Sequence, residues 1–407
     1  MRIAVFLDHF PSLSETFILN QIAGLIERGH QVDIFANRRG DTERIHPVVE
    51  KYNLLQHTFF PELPANKFQR VLGVFSILFA NPQIRLTQWL SCLNVVAYGS
   101  RALNLRLFYD VARFLDKQPY DIIHCQLESI GLQGMLFRNM GFLKGRLVTS
   151  WRGHDFPTYA HKFASCTYSN LYDQGDAFLP VSESLKKELI ENGCSESKIT
   201  VLRSGIDLEE FPFATRVPRQ NGEIRILSIG RLVENKGIEY GIRAVAKLIE
   251  KNPRIRYRAI GDGPLKSQLR GLVEQLKLQN YVTLLGWKLK EEVVQELQEA
   301  VILATPSFTA ADNSKEGIPN VLKEAMAMGV PVIGTEHSGI PELITEGDTG
   351  FLVPERDADA LASKIDYLLS HPEIWEPLGR AARAHIESFY DIEKLNDELV
   401  EIYESLL

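Results

Sequence analysis

The chain has four cysteines (Cys92, Cys125, Cys166 and Cys194) and no pair of them at C-x-x-C spacing. That excludes a cysteine-built zinc site and a disulfide scaffold, and it points to a reducing, cytoplasmic setting. Long apolar runs are also missing, since the stretch from Val71 to Ala80 is about half of a membrane span. No signal-peptide layout surrounds the apolar run RIAVFL after Met1. No G-x-G-x-x-G follows that run, which argues against a nicotinamide or flavin dinucleotide, and the Walker spacing G-x-x-x-x-G-K-[ST] is absent. Positive charge is not in excess: the net charge is -7, which argues against a nucleic-acid binder.

What is present is the composition of a folded protein, 45% hydrophobic and 24% charged over 407 residues, long enough for two domains. Arg2 to Leu7 reads as a buried parallel strand, followed by a loop at Asp8-His9-Phe10-Pro11. Ser12 and Glu15 have capping-box spacing, so a helix is expected from about Leu13, with Phe17, Ile18, Ile22, Leu25 and Ile26 on one face. Gly29 ends it and Gln31 to Ala36 is a second strand. This β-α-β opening predicts an α/β, doubly wound domain. Ligands of such domains sit where strands end and helices begin, which places Ser14, Glu15 and Thr16 at a cleft between domains. The segment from Asn66 to Lys117 is helical in pattern, apolar and basic, with seven basic against two acidic residues. It reads either as ordinary packing helices or as peripheral contact with an anionic membrane surface.

Further strands are expected at Asp121 to Cys125 and at Leu147 to Ser150. The latter runs into Trp151-Arg152-Gly153-His154-Asp155, where a histidine beside an aspartate at a strand end suits an active site. A linker from Phe211-Pro212 through the polar run Arg216 to Glu223 sets two domains, 1–207 and 208–387. The second domain restarts the β-α-β theme. Gly230 to Gly237 brings Arg231 and Lys236 to a strand-to-helix loop, either as a diphosphate site or as a solvated basic loop. Gly261-Asp262-Gly263-Pro264 and Gly286-Trp287-Lys288 end the next strands, so the edge is lined with backbone that suits a nucleotide. Glu316 lies in a loop and Glu324 on a helix that begins near Pro319. They are either solvated carboxylates or partners of sugar hydroxyls. Asp357 and Asp359 spell D-x-D, but they precede an apolar helix and read as its cap, leaving no metal site.

Taken in order, Gly230-Arg231…Lys236-Gly237, Gly261-Asp262-Gly263-Pro264, Glu316…Glu324-Ala325, Gly329-x-Pro331-Val332 and Ser338-Gly339-Ile340-Pro341-Glu342 resemble the family 4 glycosyltransferases. Ser14-Glu15-Thr16-Phe17 is similar to a branch devoted to bacterial exopolysaccharide, envelope-polysaccharide or lipopolysaccharide assembly. The resemblance implies a GT-B fold, two facing Rossmann-like domains with a last helix (about 388–407) crossing back to the first. It implies a retaining, metal-independent hexosyltransferase that needs no cofactor. The donor is a nucleotide sugar, UDP by the family's habit, and the acceptor a saccharide, lipid-linked where it is still growing. Arg231 and Lys236 would hold the diphosphate, and Glu324 the ribose. Glu316 with Gly317, Ile318, Pro319 and Asn320 would hold the sugar and pyrophosphate, Gly261 and Trp287 would line the donor site, and His154, with Asp155 beside it, would stand near the reacting sugar. The sequence departs from the family at Pro11-Ser12-Leu13-Ser14, where many relatives carry a Gly-Gly loop, and at Ser204, where relatives often have Asn. A UDP-sugar epimerase and a non-catalytic nucleotide-sugar-binding protein are the alternative readings.

Overall fold

Uninterrupted apolar runs such as Ile3 to Leu7, all nearly inaccessible to solvent, have no polar face to offer water and so become strands covered on both sides. The computed structural model describes residues 1–12, 16–40, 45–152, 166–217, 222–312 and 314–407. Among these are β1 (Arg2–Phe10), β2 (Gln31–Arg39), β3 (Thr58–Phe59), β4 (Ile122–Cys125), β5 (Arg146–Trp151) and β6 (Ala177–Pro180), one parallel sheet in the order β3-β2-β1-β4-β5-β6. A second sheet holds β7 (Ile224–Ile229), β8 (Ile255–Ile260), β9 (Val282–Gly286), β10 (Ile302–Thr305), β11 (Val332–Thr335) and β12 (Phe351–Val353), in the order β12-β11-β10-β7-β8-β9. Read from its own first strand, the second order repeats the first, which is the doubly wound arrangement of nucleotide-binding domains. The α/β expectation therefore holds for both halves.

The first strand is longer than its apolar run. Asp8 to Phe10, expected as a loop, continue β1 because His9 and Phe10 stay in register with Arg38 and Arg39 of β2. Pro11, which has no N–H to offer the ladder, follows the last strand residue.

Each sheet is sandwiched between helices and has a core on either face. Two segments cross between the halves side by side. Ile206 N–H donates to Tyr390 O at 2.9 Å, and Ile392 N–H donates to Ile206 O at 3.1 Å. A Cβ on Gly205 would lie 2.8 Å from the Ile392 Cα, so these two crossings touch through bare backbone. The last helix, Ile392–Ser405, then lies on the first half, where Leu395, Leu399 and Tyr403 join the core of β1 and of the helix Thr16–Glu27. Arg28 fastens it from outside, at 2.7 Å to Asp397 and 3.0 Å to Glu393.

Candidate active site

In each sheet the winding direction reverses between two neighbouring strands, and the loops leaving their carboxyl ends part to form a crevice. In the second sheet these strands are β7 and β10. The floor of that crevice is backbone in close approach. Gly237 holds φ +62° at the start of the helix Ile238–Leu248, and a Cβ there would come within 1.9 Å of Pro306 O, beyond β10. Gly261, at φ +138° beyond β8, would likewise place a Cβ 1.9 Å from Gly230 O. Neither contact is available to any residue but glycine.

Lys236, in the turn after β7, reaches across to form an ion pair with Glu316 in the loop after β10. Two residues expected to meet different parts of one ligand are thus each other's partner. The Glu316 backbone is fixed from below. Its N–H donates to His337 Nε2 at 3.0 Å, and His337 Nδ1 lies 2.6 Å from Glu355 Oε1. Because a backbone N–H can only donate, Nε2 must carry a lone pair. The ring is therefore neutral, with its proton on Nδ1 donated to Glu355. Glu355 Oε2 accepts Thr309 N–H at 3.1 Å, so one buried imidazole and one carboxylate hold both ends of the loop 309–316.

The helix Asn320–Ala327 starts directly behind this loop, with Pro319 as N-cap and no acidic residue in its first turn. Its leading N–H groups and dipole form a site for an anion. Glu324, farther along the helix, is half-buried, and desolvation pushes its carboxyl up to about 7 against the pull of Lys323 and Lys290. Lys323 is wholly buried and donates to Ser204 O, on the crossing segment, at 2.5 Å. Burial brings its ammonium down to about 7, with Glu324 acting the other way.

The remaining sequence candidates fall as follows. Arg231 is exposed at the crevice mouth, and Trp287 is 53% exposed beyond β9. A Cβ on Gly317 would lie 3.8 Å from Arg152 O at the end of β5, so the Glu316 loop faces the first half directly. Ile318 packs beneath it against Gly339. Thr16 opens the first helix and is half-buried. Ser14, Glu15, His154 and Asp155 lie outside the described residues. Asp357 caps the helix Ala358–Ser370, accepting from Asp359 N–H at 3.0 Å and Ala360 N–H at 2.8 Å, which is the capping role read for it from the sequence. Asp359 pairs with Lys247 at 2.7 Å.

The corresponding crevice of the first sheet, between β1 and β4, is occupied by the protein itself. Gln126 Nε2 donates to Gln21 Oε1 at 2.7 Å, and the Arg152 guanidinium donates to Gln126 Oε1 and to Gln126 O. His124, behind them, is fully buried and held neutral, pushed down to about 3, with Ser150 Oγ at 2.8 Å and Tyr403 Oη at 2.6 Å. Glu128 accepts the Arg152 N–H at 3.0 Å. Across the cleft, Glu342 accepts the N–H groups of Glu183 (2.7 Å) and Ser184 (2.8 Å), so a carboxylate of the second half caps a helix of the first.

Sequence reasoning did not single out His337, Glu355 or Lys323. The available signal for Lys323 was the single cation of its helix, beside Glu324 and among Val321, Leu322, Ala325 and Met326. His337 carried no signal apart from its place ahead of Ser338-Gly339.

Comparison with known proteins agrees with this geometry. Residues 14–210 match the model described as Glycosyltransferase Family 4, and residues 211–385 match Glycosyl transferases group 1. A protein of Escherichia coli bearing the name of a colanic acid biosynthesis glycosyltransferase is 34% identical over the whole of both chains. An amylovoran biosynthesis glycosyltransferase of Erwinia amylovora is 35% identical, again over the whole of both chains. Among solved structures, Anabaena HepE in complex with UDP superposes with a TM-score of 0.71 at 18% identity, covering both chains fully.

Proposed function

We propose, from the premise that this chain belongs to glycosyltransferase family 4, that it moves a hexose from a nucleoside diphosphate sugar to a saccharide hydroxyl during exopolysaccharide or envelope-polysaccharide synthesis. The colanic acid and amylovoran relatives support that setting. The donor is a UDP-sugar of the UDP-glucose kind, the acceptor a growing, lipid-linked saccharide, and transfer proceeds with retention at the anomeric carbon. The observation that carries the reading is the Lys236–Glu316 pair at the β7/β10 crevice, beside a helix start free of acidic residues.

The chemistry follows from that pair. The bond from the anomeric carbon to the diphosphate oxygen breaks, and a bond to the acceptor oxygen forms. The acceptor hydroxyl passes its proton to the departing diphosphate oxygen, and the nucleoside diphosphate leaves with the electron pair. Negative charge therefore grows on the diphosphate. Lys236, Arg231 and the N–H groups at the start of the helix Asn320–Ala327 meet it in this reading, without a metal ion. On donor binding Lys236 turns from Glu316 to the phosphates, and Glu316 is released toward the hydroxyls of the sugar. His337 keeps the Glu316 backbone in place during that exchange, so only the side chain moves. Glu324 accepts the ribose hydroxyls. The cleft between the halves keeps water from the activated sugar.

Calorimetry with UDP, GDP, ADP and NAD, each with and without a chelator, tests the reading. The expected result is preferential UDP binding that survives chelation. Binding of NAD, or loss of UDP binding on chelation, would overturn it.

A further inference from the structure

We propose that the helical layer between β3 and β4 is a docking face for an anionic lipid bilayer. Between Glu62 and Asp110 the chain has no acidic residue and five basic ones, in a protein whose net charge is -7. Among the described residues nineteen large hydrophobic side chains are exposed, and eleven of them lie in this one stretch.

The helix Lys67–Ala80 shows how the face is built. Its inner side is anchored: Val74 is buried, Ile77 and Leu78 pack on the first core, and Tyr109 Oη donates to Arg70 O at 2.8 Å. Its outer side carries Phe68, Val71, Leu72, Phe75 and Phe79, a continuous stripe at helical spacing, with Phe79 83% exposed. The short helices Leu86–Ser91, Val95–Tyr98 and Ser100–Leu103 extend the apolar surface with Leu86, Leu90, Val96 and Leu103. Lys67, Arg85 and Arg101 are exposed among them, and Asp110, at the far end, is buried. An apolar face of this extent on a folded protein marks a contact surface.

The charge selects the occupant. A second copy of this chain would bring arginines against arginines. The interface of an anionic bilayer offers phosphate to the basic residues and acyl chains to the phenylalanines and leucines. Among the described residues no helix is long and apolar enough to cross a membrane, so the face would lie on the surface. The inference is independent of the sugar-transfer reading, because lipid binding requires neither donor nor acceptor.

Flotation of the full chain with phosphatidylcholine vesicles, with and without phosphatidylglycerol, tests it. The expected result is flotation with the anionic vesicles at low salt and much less with the neutral ones. Arg85→Ala should weaken anionic partitioning by about fivefold, and Phe75→Ser with Phe79→Ser by about tenfold or more. A cooperative thermal transition close to the parent's reports that the variants are folded. Absence of flotation at low salt would overturn the proposal. So would partitioning that the phenylalanine substitutions leave unchanged, or light scattering that shows the face consumed in a dimer those substitutions dissolve.

Discussion

The two sheets share one strand order, yet their crevices are used in opposite ways. Between β1 and β4 the space is filled by Gln21, Gln126, Arg152 and His124, which satisfy one another's hydrogen bonds. Between β7 and β10 the floor is bare backbone at Gly230, Gly261 and Pro306, and the charges above it, Lys236 and Glu316, pair with each other. A doubly wound topology therefore provides a place for a ligand, and the side chains decide whether that place stays open. In the first crevice the Arg152 guanidinium is already engaged by both oxygens of Gln126, beside amides and a neutral imidazole. The second crevice offers an ion pair that a ligand's phosphate can compete for, beside a helix N-terminus.

Three measurements break or sharpen that contrast. The largest effect belongs to Lys236→Ala, which should lower turnover by about 10²- to 10³-fold while leaving the melting temperature near that of the parent. Initial rates and a thermal scan together check this, and a rate close to the parent's would remove Lys236 from the leaving group.

Next is Glu324→Gln. Burial holds the Glu324 carboxyl near 7, so the parent's affinity for a ribonucleotide should rise between about pH 6 and about pH 8 as the carboxylate forms. The variant should bind about tenfold more weakly at the upper pH and lose the slope. The sign for stability is opposite. A carboxyl raised above its unfolded value lowers folding stability as pH rises from the ordinary glutamate range through 7, so the variant should gain in melting temperature relative to the parent at alkaline pH. Titration calorimetry and thermal scans across that range measure both. A pH-independent parent would take Glu324 away from the ribose.

The smallest effect on ligand is expected in the first crevice. Gln126→Ala should leave nucleotide affinity within about twofold and cost about 1–3 kcal/mol of stability, because it removes the side-chain hydrogen bonds that Gln126 makes to Gln21 and Arg152. A large loss of nucleotide affinity would mean that both crevices take part in donor binding.

Much of the framework was legible from short-range signals. The helix after Pro319, the cap at Asp357 and the strand runs follow from proline, capping side chains and apolar periodicity, which act within a few residues. The loop motifs from Gly230 to Glu342 were readable because glycine and proline mark positions where backbone approaches backbone. At its edges this reading fell short. Asp8 to Phe10 were assigned to a loop on composition, and pairing with β2 made them strand.

The sequence by itself thus determined the two repeated β-α-β halves, the loops that carry Arg231, Lys236 and Glu316, and the family to which the chain belongs. Tertiary structure alone decided that Lys236 pairs with Glu316, that His337 supports Glu316 through its backbone, and that Lys323 is buried against the Ser204 carbonyl. Those contacts join residues 80, 21 and 119 positions apart. Their energies depend on desolvation and on the route of the chain between the two halves, and no local pattern records either.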